Sequence, residues 1–141
     1  MLIEQSDYDD AQGPHVKELE LNDIVTAVCL SKDGKQLLAN TSMTKPRIEM
    51  WDIETKECIR KFKGHEQKNY ILRPAFGGLD ERLVVCGSED TNIYIWNKLS
   101  GELIARLLGH YQIVNSVAWA PCSAYLFASA SDDMTVKIWS I

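Results

Sequence analysis

Three tryptophans set a period that few folds can satisfy. Arg47-Ile48-Glu49-Met50-Trp51, Asn92-Ile93-Tyr94-Ile95-Trp96 and Val136-Lys137-Ile138-Trp139 are runs of one kind, and their tryptophans stand 45 and 43 residues apart. Gly-His follows the first two at one distance: His65 lies 14 residues after Trp51, and His110 lies 14 after Trp96. An acid stands six residues ahead of the last two, Asp90 and Asp133, inside Gly87-Ser88-Glu89-Asp90 and Ala130-Ser131-Asp132-Asp133. Features held in register at such a spacing mark one structural unit repeated along the chain.

Between the markers apolar and polar residues alternate in period two, with turn residues every eight to twelve positions, the pattern of an all-β repeat. Strands are expected near 24–30, 36–39, 47–52, 58–63, 70–76, 82–87, 92–97, 103–108, 113–119, 125–130 and 135–140. Lys32-Asp33-Gly34-Lys35, Gly77-Gly78, Leu99-Ser100-Gly101 and Pro121-Cys122-Ser123 supply the turn chemistry. Gly77-Gly78 reads as a hairpin turn, because no helix start or Gly-Lys-Ser/Thr follows to cradle a phosphate. No segment carries a helical stripe with caps.

Fifteen basic against twenty acidic residues leave a formal charge of −5. That argues against a nucleic-acid footprint, which needs a basic surface. No apolar run approaches the ~18 residues of a membrane span, and Met1 to Asp7 has neither the basic nor the apolar region of a secretory signal. The charge is uneven. Residues 1–23 hold seven acids (Glu4, Asp7, Asp9, Asp10, Glu18, Glu20 and Asp23) and one base, Lys17, so the body from residue 24 onward is nearly neutral. Residues 1–14 are therefore expected to be an acidic, disordered and solvated lead-in rather than a docking peptide. Cys29, Cys58, Cys86 and Cys122 form no CxxC and have no histidine at metal spacing. They read as reduced thiols of a cytoplasmic or nuclear protein, with no metal site and no cofactor motif.

Gly64-His65, Gly109-His110, Trp51-Asp52, Trp96-Asn97 and Trp139-Ser140, on a period of about 43–45 residues, resemble the WD40 family over residues 15–141. The first repeat departs from the pattern: Lys45 stands where the turn Asp would be, and no Gly-His precedes it. The resemblance implies an all-β fold of about three four-stranded antiparallel propeller blades, in repeats of approximately 22–63, 64–108 and 109–141. Closed propellers have typically four to eight blades, so an incomplete ring with exposed edges is expected. His15-Val16-Lys17-Glu18-Leu19-Glu20-Leu21 reads as a lone outer strand of a preceding blade, and the last blade stops after its third strand.

The resemblance also implies a buried Trp-Ser/Thr-His-Asp hydrogen-bond network, built here from His110, Ser129, Asp133 and Trp139. In the second repeat His65, Asp90 and Trp96 are present, but Cys86 or Ser88 stands in the serine role, so a weaker network is expected. Trp51 is the marker of the first. His110, Asp133 and Ser129 or Ser131 are also the residue types of a hydrolase triad; a catalytic site, however, does not repeat its parts on a 45-residue period.

A basic cluster of Lys56, Arg60, Lys61, Lys63, Lys68 and Arg73 falls on one outermost strand and the loop after it. It reads as a charged edge that blocks strand pairing, with an electrostatic docking patch as the alternative. Candidate partner-binding loop residues are Lys68, Tyr70, Glu89, Tyr111, Asn115 and Asp132. A finer resemblance rests on Arg73-Pro74-Ala75-Phe76-Gly77-Gly78 leading to Gly87-Ser88-Glu89-Asp90 and Tyr94-Ile95-Trp96. It points to the C-terminal blades of a branch serving a CTLH/GID-type ubiquitin ligase. That implies a non-enzymatic adaptor whose partners are proteins, ligase subunits and substrates, rather than nucleic acid, membrane or a small molecule. A WD40 scaffold of another pathway, in signalling or RNA processing, shares every other feature.

Overall fold

The computed structural model of the chain describes residues 15–42 and 45–141. The expectation of a disordered lead-in over 1–14 lies outside the described residues. In chain order the strands are β1 (Val25–Leu30), β2 (Gln36–Thr41), β3 (Arg47–Asp52), β4 (Glu57–Phe62), β5 (Ala75–Gly77), β6 (Leu83–Gly87), β7 (Ile93–Asn97), β8 (Leu103–Leu107), β9 (Val114–Trp119), β10 (Leu126–Ser131) and β11 (Val136–Ser140). One turn of 3-10 helix, Leu79–Glu81, is the helical element among the described residues. The strands pair antiparallel into three sheets, ordered β1-β2-β3-β4, β5-β6-β7-β8 and β9-β10-β11. The sheets do not close a ring.

Sequence alternation explains how the sheets stack. On the central sheet Val84, Cys86, Tyr94 and Trp96 face one way, meeting Leu38, Ile48, Met50 and Phe62 of the first sheet. Val85, Ile93 and Ile95 face the other way, meeting Val114, Val117 and Phe127 of the third. Successive side chains of a strand point to opposite faces, so a sheet covered on both sides must be apolar at every position. Leu83-Val84-Val85-Cys86 and Ile93-Tyr94-Ile95-Trp96 are. Trp96 and Phe62 are fully buried, their rings 6.0 Å apart.

Both four-stranded sheets slip register at an equivalent place, between Met50 and Trp51 on β3 and between Ile95 and Trp96 on β7. A bulge adds local twist, and here it recurs beside Trp51 and Trp96. Gly87 lets the central and third sheets approach. A Cβ there would lie 2.0 Å from the Val114 carbonyl oxygen, and the Val114 N–H donates to the Ser88 carbonyl at 3.2 Å.

Two expected strands differ from the structure. His15–Leu21 is not a strand, because extended backbone is held by ladder pairing and no described strand pairs with it. The strand expected over 70–76 shrinks to Ala75–Gly77. Pro74 has no N–H for a ladder, and Arg73 makes an isolated parallel bridge to Ser116 instead.

Candidate interaction face and the polar networks beneath it

The loops β4–β5 and β8–β9 and the turns β6–β7 and β10–β11 come together at one end of the sheets. In the third sheet four side chains join them. The Trp139 indole N–H donates to Ser129 Oγ at 2.8 Å; His110 Nε2 lies 2.7 Å from Ser129 Oγ; His110 Nδ1 lies 2.7 Å from Asp133 Oδ2. Tryptophan can only donate and a carboxylate only accept. With a neutral imidazole, one proton arrangement satisfies every atom: the Ser129 hydroxyl donates to Nε2, and Nδ1–H donates to Asp133. Burial pushes the Asp133 carboxyl upward. The Thr135 hydroxyl, the His110 ring and the backbone N–H groups of Tyr111 and Thr135 outweigh that and hold it well below the usual carboxylate range. Gly109 makes the packing possible, since a Cβ there would meet the Trp139 ring at 2.6 Å.

This geometry resembles a hydrolase triad in its bonds and differs in access. Ser129 is 2% exposed, and its oxygen already receives the Trp139 N–H. A nucleophile needs room for a carbonyl above it and donors for the oxyanion; here the hydroxyl is buried and bonded to both His110 and Trp139. Among the described residues no three His, Cys, Asp or Glu side chains converge to hold a metal ion.

The second sheet carries the same residues in a different arrangement. Cys86, opposite Tyr94, occupies the position of Ser129, opposite Lys137. Tyr94 donates its hydroxyl to Asp90 Oδ2, the oxygen equivalent to the one that receives His110 in the third sheet. The Trp96 N–H turns to the Lys63 carbonyl at 2.9 Å. His65, expected to join Asp90 and Trp96, is buried with both ring nitrogens unpartnered, and Asn92 Oδ1 is buried and unpartnered too. Burial pushes the His65 imidazole down to about 4, against the upward pull of the Asp90 charge. Burial likewise pushes the Cys86 thiol up. Aromatic edges replace the missing bonds: His65 stands edge-on to Trp96 at 5.5 Å and to Tyr94 at 6.4 Å.

The first sheet has Ala39 at the serine position, opposite Glu49. Its Trp51 N–H donates to Glu49 Oε2 at 2.9 Å. Arg47 Nε donates to Glu49 Oε1 at 2.7 Å, and its Nη1 pairs with Asp23 Oδ2 at 3.2 Å. Sequence reasoning missed this ionic chain, although Arg47, Glu49 and Trp51 lie at the same-face spacing of a strand. It also missed Asn40, whose Nδ2 donates to Gln67 Oε1 at 2.8 Å and to the Leu72 carbonyl at 2.7 Å, pinning the β4–β5 loop to the first sheet.

Above these networks lie the six candidate loop residues. Glu89 holds its loop by accepting the backbone N–H groups of Lys68 and Asn69. Asn115 donates to Asp132 Oδ1 at 2.7 Å. Those three carboxylate and amide groups thus brace the loops. Lys68, Tyr70 and Tyr111 present their side chains outward, Tyr111 with 86% of its surface exposed. Ile71 and Met134 join them as exposed apolar residues that the sequence reading did not single out.

Comparison with known proteins gives a family match and relatives. The family model "WD domain, G-beta repeat" matches residues 56–97 and 101–140. The chain is 44% identical over 125 residues to GID complex subunit 7 of Schizosaccharomyces pombe, covering 89% of this chain and 24% of that protein. It is 39% identical over 133 residues to a WD repeat-containing protein 26 homolog of Arabidopsis thaliana, covering 94% of this chain and 22% of the relative. A WD repeat-containing protein 26 homolog of Drosophila melanogaster is 40% identical over 135 residues, covering 96% and 20%. The chain spans about a quarter or less of the length of these curated relatives.

Proposed function

We propose, from the premise that this chain belongs to the WD40 (WD domain, G-beta repeat) family, that it is a protein-interaction scaffold with no catalytic role. The finer reading is a portion of a propeller in a CTLH/GID-type ubiquitin-ligase subunit, supporting complex assembly and substrate recruitment in the cytoplasm or nucleus. Likeness to GID complex subunit 7 and to the WD repeat-containing protein 26 homologs supports the branch. Four free thiols, one of them the fully buried Cys86, fit a reducing compartment.

The observation that carries the scaffold reading is the pairing of braced loops with outward aromatics. Tyr70 and Tyr111 are 47% and 86% exposed, over a layer of hydrogen bonds that keeps the loop backbone in place. Rigid, exposed tyrosines are the residues that most often anchor protein interfaces. Affinity capture with the full chain, read by mass spectrometry, tests both levels. Recovery of GID/CTLH-type subunits is expected, with at least about a tenfold loss on Tyr70→Ala plus Tyr111→Ala and no change in Tm. Recovery of partners from an unrelated pathway overturns the branch. Capture unaffected by the double substitution overturns the face.

A further inference from the structure

The outward faces of the first and third sheets are complementary to each other, as their registers show. Val28 pairs with Ala39 on the first sheet as Val117 pairs with Ser129 on the third, and Leu30 pairs with Leu37 as Trp119 pairs with Phe127. Val117 and Trp119 pack against the central sheet, whereas Val28 and Leu30 are exposed. At the other end of the stack, Val136 and Ile138 pair with Ala130 and Ala128 as Ile93 and Ile95 pair with Gly87 and Val85. Ile93 and Ile95 meet the third sheet, whereas Val136 and Ile138 are exposed. The third sheet thus leaves open the kind of face by which the central sheet packs on the third. The first sheet leaves open the kind by which the third packs on the central. Stacked on one another, these two faces repeat an interface that the chain already makes.

Strand count agrees with the faces. Among the described residues the first and central sheets have four strands and the third has three. Strand β4 precedes the central sheet along the chain and is the fourth strand of the first; β8 precedes the third sheet and is the fourth strand of the central. By the same connectivity, residues 15–21, which precede β1, belong to a sheet stacked on the open face of the first. They alternate as a strand does, with Val16, Glu18 and Glu20 on one side and Lys17, Leu19 and Leu21 on the other. Lys17 bonded to Glu54 at 2.6 Å and Asp23 bonded to Arg47 at 3.2 Å keep the segment at the first sheet. The open edge lies on β11. The Ser131 N–H donates to the Thr135 carbonyl, and the Ile141 N–H donates to the Tyr125 carbonyl. In an antiparallel ladder the direction alternates, so the N–H groups of Val136, Ile138 and Ser140 point away from β10.

We infer that β11 is a strand-addition site whose occupant is residues 15–21 of a second copy of this chain, with the third sheet of each copy stacked on the first sheet of the other. The central sheet stands between donor and acceptor within one copy, so the strand is exchanged rather than folded back. Ladder bonds along β11 set the direction, and the two apolar faces supply the burial. Two copies joined in this way at both junctures hold six sheets, within the roughly four to eight at which rings of stacked sheets close.

Sedimentation equilibrium and backbone amide exchange of the full chain, each over a concentration series, test the assembly. The mass is expected to rise from one chain to two and to stop there. Exchange at Val136, Ile138 and Ser140, and within residues 15–21, is expected to slow at least about tenfold from the dilute to the associated end of the series. Glu18→Pro with Leu19→Pro tests the donor strand. It removes two neighbouring N–H groups, one of which faces β11 in either register. Residues 15–21 make no backbone hydrogen bond among the described residues, so the single copy keeps its fold, as near-UV circular dichroism verifies. Pairing at least about tenfold weaker is expected. A mass that stays at one chain, or that grows past two, overturns the proposal. Pairing undiminished in the proline variant, or β11 amides that exchange at one rate throughout, overturns strand addition in favour of face stacking alone.

Discussion

At the scale of single residues, one substitution separates two sheets built on the same markers. Ser129 offers an oxygen that can accept from Trp139 and donate to His110 at once; Cys86 offers a thiol, a weak donor and weak acceptor. With that oxygen absent, Trp96 turns to the Lys63 carbonyl, Tyr94 takes Asp90, and His65 is left without a partner. Ser129→Ala in the third sheet should leave His110 Nε2 without its partner, as His65 is in the second, and take from the Trp139 N–H its acceptor. A loss of roughly 1–3 kcal/mol is expected from urea unfolding.

His65 also makes stability depend on pH. Its folded value of about 4 lies below the unfolded ~6.5, so the unfolded chain binds the proton first. Stability contributed by the neutral ring is present above pH ~6.5 and falls as pH drops toward 4, by roughly 3 kcal/mol in all. Asp90 and Asp133 are depressed carboxylates; their contribution persists until lower pH, below the unfolded ~3.9. Cys86→Ser should raise the His65 titration toward its ordinary value, as followed by NMR, and flatten unfolding free energy between pH 7 and 4. An unmoved His65 titration in this variant counts against the serine-position argument.

At the scale of elements, what holds one sheet to the next is close backbone approach as much as side-chain burial. The Gly87 backbone faces the Val114 carbonyl with no room for a methyl, so Gly87→Ala must push β6 and β9 apart. A destabilisation of about 1–3 kcal/mol or more is expected, with faster amide exchange concentrated in Val114–Trp119; uniform exchange across all three sheets would contradict it. The alternation of β6 and β7, the turn residues and the recurring tryptophans made all but one of the expected strands legible in the sequence. The His15–Leu21 segment failed because alternation describes a strand's faces and says nothing of whether an edge is there to pair with it. Pro74 and the bridge at Arg73 shortened β5 for a related reason: pairing capacity, not hydropathy, sets where a ladder starts.

At the scale of the whole molecule, the flanking sheets each keep an uncovered face. Val28 and Leu30 of β1 are 62% and 61% exposed, and Val136 and Ile138 of β11 are each 68% exposed. Strand β11 has β10 on one side and no described strand on the other. Exposed apolar faces and an open ladder edge favour association. Concentration-dependent self-association is expected by light scattering, and Val28→Lys with Ile138→Lys should suppress it while leaving the near-UV circular dichroism unchanged. Mass that stays monomeric and concentration-independent in the parent chain would refute this reading.

The amino-acid sequence by itself determined the period, the all-β class, the identity of the repeating unit and the residues that mark it, because spacing and alternation are properties of the chain that survive without neighbours. Only the tertiary structure decided which marked residues meet. Cys86 and Tyr94 on paired strands, with Asp90 in the turn between them, redirect His65's partners. Asp23, Arg47 and Glu49 join segments whose proximity depends on where the residues just before β1 lie against β3. A hydrogen bond requires both groups at about 2.7–3.2 Å, and that distance belongs to the packed arrangement rather than to either residue.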